Sequence, residues 1–168
     1  MTKILFIPLF VAGIMGYGQV KKQVGNFSVE FPYTPTYYNE APISGYVLDT
    51  DNVILIAGVI ENIGGFDFQE FMRKSTPWEK ELIEEKFYLG LINGLTKSGN
   101  LTIMDIQDTY VGGYKGKMID SILYNKFKTL TKAALTEDGG VIFQAFLLND
   151  SAGAYREIWT FLKSIKSN

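Results

Sequence analysis

Any chemistry in this chain has to come from carboxylates, lysines and tyrosines, because the sequence contains neither histidine nor cysteine. The commonest general base, the commonest transition-metal ligand and every Ser-His-Asp or Cys-His arrangement are thereby excluded. Asp105, Asp108 and Asp120 are the acid–base candidates. A carboxylate pair held about 5 to 9 Å apart in a cleft can run glycoside hydrolysis, but only the fold sets that distance. Glu79, Glu81, Glu84 and Glu85 fall on the polar side of a predicted helix and read as solvated charge. Asp49, Asp51 and Asn52 lack the further ligands and the glycine of a calcium loop. None of these patterns implies a cofactor or a metal ion.

Three other groups of residues could bind. The run Gly112-Gly113-Tyr114-Lys115-Gly116-Lys117 superficially resembles a phosphate loop, but Met118 follows the lysine where Ser or Thr is needed, and a strand follows where a helix is needed. A hairpin turn explains it better. Lys115 and Lys117 share one face of a predicted strand, and Lys126, Lys128 and Lys132 share one face of the next, because strand side chains repeat every second residue. If those faces coincide, they form a basic patch for an anionic partner surface or lipid headgroup, with Tyr114 and Tyr124 beside it; otherwise they are a solvated outer face that discourages edge pairing. Tyr33, Tyr37 and Tyr38 crowd a predicted loop that also holds Pro35 and Pro42. Such a loop would serve as a recognition surface or as a lid over the core.

The ends and the composition bound these options. Lys3 leads into an apolar run over residues 4–15 that is too short to span a bilayer, and Gly16 and Gly18 are small enough for a signal peptidase, so residues 1–18 read as a secretory signal peptide. Cleavage after Gly18 would leave 150 of the 168 residues, the size of one ordinary domain. Without Lys3, 15 basic side chains remain against 18 acidic ones, and only Arg73 and Arg156 carry a guanidinium. That leaves no electrostatic footprint for nucleic acid. Without cysteine there is no disulfide and no lipid attachment behind the signal, so an exported domain must be held by its core alone. The 12 Phe, 10 Tyr and 2 Trp fit that demand, and the expected setting is a bacterial periplasm or cell exterior, with no stable membrane span after cleavage.

The elements that must position these residues follow from periodicity. Residues 27–32 alternate apolar and polar as a half-buried strand, residues 33–42 read as a loop, and residues 43–48 and 53–61 form a hairpin around Asp49-Thr50-Asp51-Asn52. Thr76-Pro77-Trp78-Glu79 is a capping box with proline at the first helical position, and it opens a helix over residues 77–97 after the Gly64-Gly65 break. Residues 101–111, 114–123, 127–135 and 141–148 form an antiparallel meander. A second amphipathic helix, capped by Asp150 or Ser151, closes the chain with Tyr155, Ile158, Trp159, Leu162 and Ile165 on its apolar face. The expected fold is α+β: an antiparallel sheet of about seven strands packed with two helices, in the order βββαββββα. Trp78 and Trp159, placed on the apolar helix faces, are expected to cost about 3 to 5 kcal/mol each when truncated to alanine.

That order resembles the PsbP-like family, on Phe27-Ser28-Val29-Glu30-Phe31-Pro32 followed by Pro35, on Leu91-Ile92-Asn93-Gly94, on Tyr110-Val111-Gly112-Gly113-Tyr114-Lys115-Gly116, and on Trp159-Thr160-Phe161-Leu162-Lys163-Ser164-Ile165. The resemblance spans most of the chain after residue 18. It implies a noncatalytic domain that docks onto a larger assembly, and it carries over no catalytic residue. The expected function is therefore an exported interaction domain that binds a cell-envelope protein through Tyr114, Lys115, Lys117 and Lys128 or through Tyr33, Tyr37 and Tyr38. The alternatives are a carrier of a small apolar ligand or lipid in a pocket between sheet and helices, and a carboxylate-only hydrolase.

Overall fold

The computed structural model describes residues 18–40, 43–60, 68–97 and 100–168. The signal-peptide assignment, Gly18 apart, and the Gly64-Gly65 break lie outside these residues. Ten strands and three helices occur among the described residues: β1 (Val20–Val24), β2 (Phe27–Phe31), β3 (Thr36–Glu40), β4 (Ile43–Asp49), β5 (Val53–Ile60), α1 (Phe68–Lys74), α2 (Pro77–Lys97), β6 (Leu101–Val111), β7 (Tyr114–Leu123), β8 (Phe127–Thr136), β9 (Gly139–Leu147), α3 (Ala152–Lys163) and β10 (Lys166–Ser167). Seven strands form one antiparallel sheet in the order β3-β4-β5-β9-β8-β7-β6, and β1-β2-β10 form a second, small sheet. The expected α+β architecture and seven-stranded antiparallel sheet are both present.

Side chains of directly paired residues share a face, so the register sorts the large sheet into two sides. Leu55, Ala57, Phe143, Ala145, Leu130 and Ala134 point to the side covered by α3 and the small sheet. There the fully buried rings of Phe31 and Phe161 meet at 5.0 Å, Phe161 and Phe143 at 6.5 Å, and Phe143 and Phe27 at 5.9 Å. One chain of ring contacts thus joins the small sheet, α3 and the large sheet. Helix α3 takes its place through Ser151, whose hydroxyl accepts from the Ala154 amide at 3.2 Å, and it buries Ala154, Ile158, Phe161 and Leu162 at helical spacing. After the helix ends, Ser164 turns the chain back so that its hydroxyl accepts from the Glu30 amide of β2 at 2.8 Å.

The opposite side carries α2, entered through the expected capping box: the Glu79 carboxylate accepts from the Thr76 amide at 2.8 Å and the Thr76 hydroxyl from the Glu79 amide at 3.3 Å. The bond from the Thr76 amide, and after it one from the Thr76 hydroxyl to the same carboxylate at 2.8 Å, hold the Glu79 carboxyl below its ordinary range. The helix runs over the expected residues but buries only Phe87 and Tyr88, which pack on Ala133 with Ile60, Leu91 and Leu135 around them. No helix among the described residues is long and apolar enough to cross a membrane.

Five expectations need correction. A third helix, α1, precedes α2, and strands β1 and β10 flank β2, so the order is longer than βββαββββα. Strand β2 belongs to the small sheet, while β3 joins the large one, and on the face of β2 expected to be polar Ser28 is buried and Glu30 half-buried. Part of the supposed tyrosine loop is strand β3, paired to β4 from Thr36↔Val47 to Glu40↔Ile43. Trp78 is 68% exposed on the outer side of α2. Trp159 is 44% exposed and lies under the Lys163 ammonium, while Phe161 takes the core position.

Burial therefore reassigns the stability. Phe161→Ala is expected to cost about 3 to 5 kcal/mol, and Trp78→Ala less than about 1 kcal/mol. Urea midpoints measure both, and a Trp78 variant as unstable as the Phe161 variant would show that α2 seats on the other face.

Candidate functional site

The tip of the β6–β7 hairpin is fixed by glycine. Gly112 and Gly113 both hold positive φ, 55° and 97°, as a two-residue primed hairpin turn requires. A Cβ on Gly112 would lie 2.7 Å from the Ser167 amide nitrogen and 2.8 Å from the Phe27 ring, so only glycine lets the tip dock on the small sheet. Tyr114 adds a ring contact to Phe27 at 5.6 Å. The glycine-rich run is thus a turn, followed by strand β7, and no phosphate loop forms.

With its tip anchored there, the hairpin and α2 enclose an open groove of about 790 Å³. Its walls are Glu81, Glu84, Glu85, Tyr88, Leu89 and Ile92 from the helix and Asp108, Thr109, Tyr110, Lys115, Gly116 and Lys117 from the strands. Lys117 is ion-paired with Asp108 and sits 5.8 Å over the Tyr88 ring. That lysine holds the Asp108 carboxyl below the usual range, first as a hydrogen-bond donor and then by its charge. Burial, and after it the charge of Glu84, pushes the Tyr88 phenol up to about 12. Its hydroxyl stays a donor and reaches the Lys115 carbonyl at 3.5 Å. Tyr110 and Leu89, both lining the groove, are 68% and 59% exposed. Four carboxylates against two lysines leave the groove acidic.

The basic patch does not form. Lys117 pairs with Ala133, and Lys132 with Met118, so Lys115 and Lys117 lie on the α2 side while Lys128 and Lys132 lie on the α3 side. Lys128 donates to the Tyr155 hydroxyl of α3 at 3.3 Å, and burial lowers the Lys132 ammonium. The tyrosines separate in the same way. Tyr37 packs on Tyr46 at 5.4 Å on the α3 side. Tyr38 crosses the paired Gly45 and Gly58 on the other side, its hydroxyl 2.7 Å from where a Gly58 Cβ would stand, and burial raises its phenol. Tyr33 is exposed before β3.

Sequence reasoning missed two groupings that the register creates. Asp105 and Asp120 are direct cross-strand partners on the exposed α3-side extension of β6 and β7. The Asp120 carboxyl is raised by burial first and by Asp105 second, with Lys128 offsetting part of the shift. On the α2 side, Ser121 pairs with Thr129, and Thr131 with Gln144. All four are buried, and the hydroxyls of Ser121, Thr129 and Thr131 make no hydrogen bond with the described residues. Pairing register, invisible in the sequence, is the signal that would have found both.

Two outcomes follow. Because its folded pKa is raised, Asp120 lowers stability once it ionises, so Asp120→Asn should raise the urea midpoint at pH 7, by a few tenths of a kcal/mol at this exposure, and change nothing near pH 3. An equal gain at both pH values would remove charge as the cause. Thr131→Val should stabilise by about 1 kcal/mol by deleting an unpartnered buried hydroxyl. A loss of that size would instead reveal a hydrogen-bond partner for it.

No family model matches the chain, and no curated protein matches it. Among solved structures, a protein of unknown function from Pseudomonas aeruginosa aligns over 84% of this chain and 90% of its own at 9% identity and TM-score 0.41. The solution structure of cyanobacterial PsbP (CyanoP) from Synechocystis aligns over 96% of this chain and 99% of its own, at 11% identity and TM-score 0.53. At that identity the likeness concerns the fold alone, and the fold of this chain is PsbP-like.

Proposed function

We propose that this chain is an exported, noncatalytic interaction domain that docks onto a protein of the cell envelope through the groove between α2 and the β6–β7 hairpin. The observation that carries the proposal is the combination of exposed Leu89 and Tyr110 with charged side chains lining the same open groove. Apolar anchors inside a polar rim are the usual anatomy of a protein interface. Export rests on the leader pattern of residues 1–18. Noncatalytic action is supported by the placement of the carboxylates. Asp105 and Asp120 oppose each other on an exposed sheet face, and Asp108 is engaged by Lys117 on the other face. The ring-filled core under α3 favours docking over carriage of an apolar ligand on that side.

Crosslinking capture from the envelope fraction of the source organism tests this. The wild-type protein should enrich one protein, Leu89→Ser/Tyr110→Ser should reduce its recovery about tenfold or more, and Lys128→Glu on the far face should leave it unchanged. Recovery of a lipid or metabolite without any protein would replace docking by carriage.

A further inference from the structure

Strand β6 is an edge of the large sheet. It runs eleven residues, Leu101–Val111, and pairs only with β7, so among the described residues its outer edge has no strand partner, although the Ile106 amide donates to the Asp105 carboxylate at 2.9 Å and the Gln107 side chain to the same carboxylate. Proteins blunt such edges with short strands, prolines, bulges and charged side chains, lysine above all. The other edge, β3, is five residues long, whereas β6 holds no proline, lysine or arginine, and its only irregularity is a register shift between Ile103 and Asp105. Residues 104–108 (Met104, Asp105, Ile106, Gln107 and Asp108) are all exposed.

We propose that the free edge of β6 is a strand-addition site for an extended, lysine- or arginine-bearing segment of a partner protein. The inference rests on the docking reading above and names the chemistry of the partner. Main-chain hydrogen bonds to β6 supply affinity, and side chains supply selectivity. Charge complementarity sets the sign. A strand added to β6 meets Asp108 together with Glu81, Glu84 and Glu85 of α2 on one face, and the Asp105–Asp120 pair on the other. Lys117 neutralises Asp108, which leaves Glu81, Glu84 and Glu85 against Lys115 on the first face, and Lys128 offsets only part of the Asp105–Asp120 charge on the other. Exposed Met104, Ile106 and Tyr110 offer apolar contact between the acids. A second copy of this chain fits poorly, since antiparallel self-pairing of β6 sets its aspartates against those of the other copy with no cation on either strand.

The test uses the ¹⁵N-labelled protein with two capped octapeptides, one alternating lysine with valine and one alternating glutamate with valine. The lysine peptide is expected to shift the amides of residues 101–111 and slow their exchange, more weakly as salt rises, and the glutamate peptide to do neither. Asp105→Asn/Asp108→Asn should weaken the lysine peptide several-fold, and Asp105→Lys/Asp108→Lys about tenfold or more while admitting the glutamate peptide. Protection at β3, equal response to both peptides or no response would overturn the proposal. So would concentration-dependent dimerisation that protects β6 without peptide, because the occupant would then be a second copy. Envelope capture separates the two levels. A captured protein whose recovery ignores the Asp105 and Asp108 variants removes strand addition and leaves docking, whereas no captured protein removes docking itself.

Discussion

Four phenylalanine rings carry the mechanical connection of this molecule. Phe31 touches Phe161, Phe161 touches Phe143, and Phe143 touches Phe27, so the small sheet, helix α3 and the large sheet meet at one place. Each fully buried ring removes a large apolar area from water, worth about 1.5 to 3 kcal/mol relative to exposure. In a chain with no cysteine that burial has no covalent substitute. The functional side depends on it directly. Gly112 approaches Phe27 and Ser167 so closely that no side chain fits, and this contact anchors the β6–β7 hairpin from which the groove and the free edge are built.

The two helices are bound with very different firmness. Helix α3 seats Ala154, Ile158, Phe161 and Leu162 in the main core, whereas α2, at 21 residues, buries only Phe87 and Tyr88. Few buried contacts mean a low local stability, which is the usual property of elements that meet partners. The groove therefore has one rigid wall, the anchored hairpin, and one lightly held wall that carries Glu81, Glu84 and Glu85. Its acidity agrees with the slight net negative charge of the whole chain and points away from the anionic partners that a lysine count alone would favour.

Much of the fold was legible locally. The capping box, the helix over residues 77–97, the Gly112-Gly113 turn and the strands on either side of it stand where periodicity and turn chemistry place them, because those signals act within a few residues. Strands β1, β3 and β10 were not legible. Thr36–Glu40 is five residues of mixed polarity beside prolines, and it is a strand because β4 offers it an edge. Tyrosines and tryptophans count as apolar or polar only once their surroundings are known, as Trp78 and Trp159 show on their respective helices.

By itself the sequence determined the excluded chemistry, the α+β class, the long helix and the hairpins, since composition and short-range periodicity contain them. Tertiary structure alone decided which residues act together. Strand side chains alternate, so pairing Lys117 with Ala133 sends Lys115 and Lys117 to one side of the sheet and Lys128 and Lys132 to the other, dissolving a basic patch that spacing within each strand permitted. The same register sets Asp105 against Asp120 and leaves β6 at the edge. Register is a relation between distant segments, fixed by the packing of the whole core, and no single stretch of residues contains it.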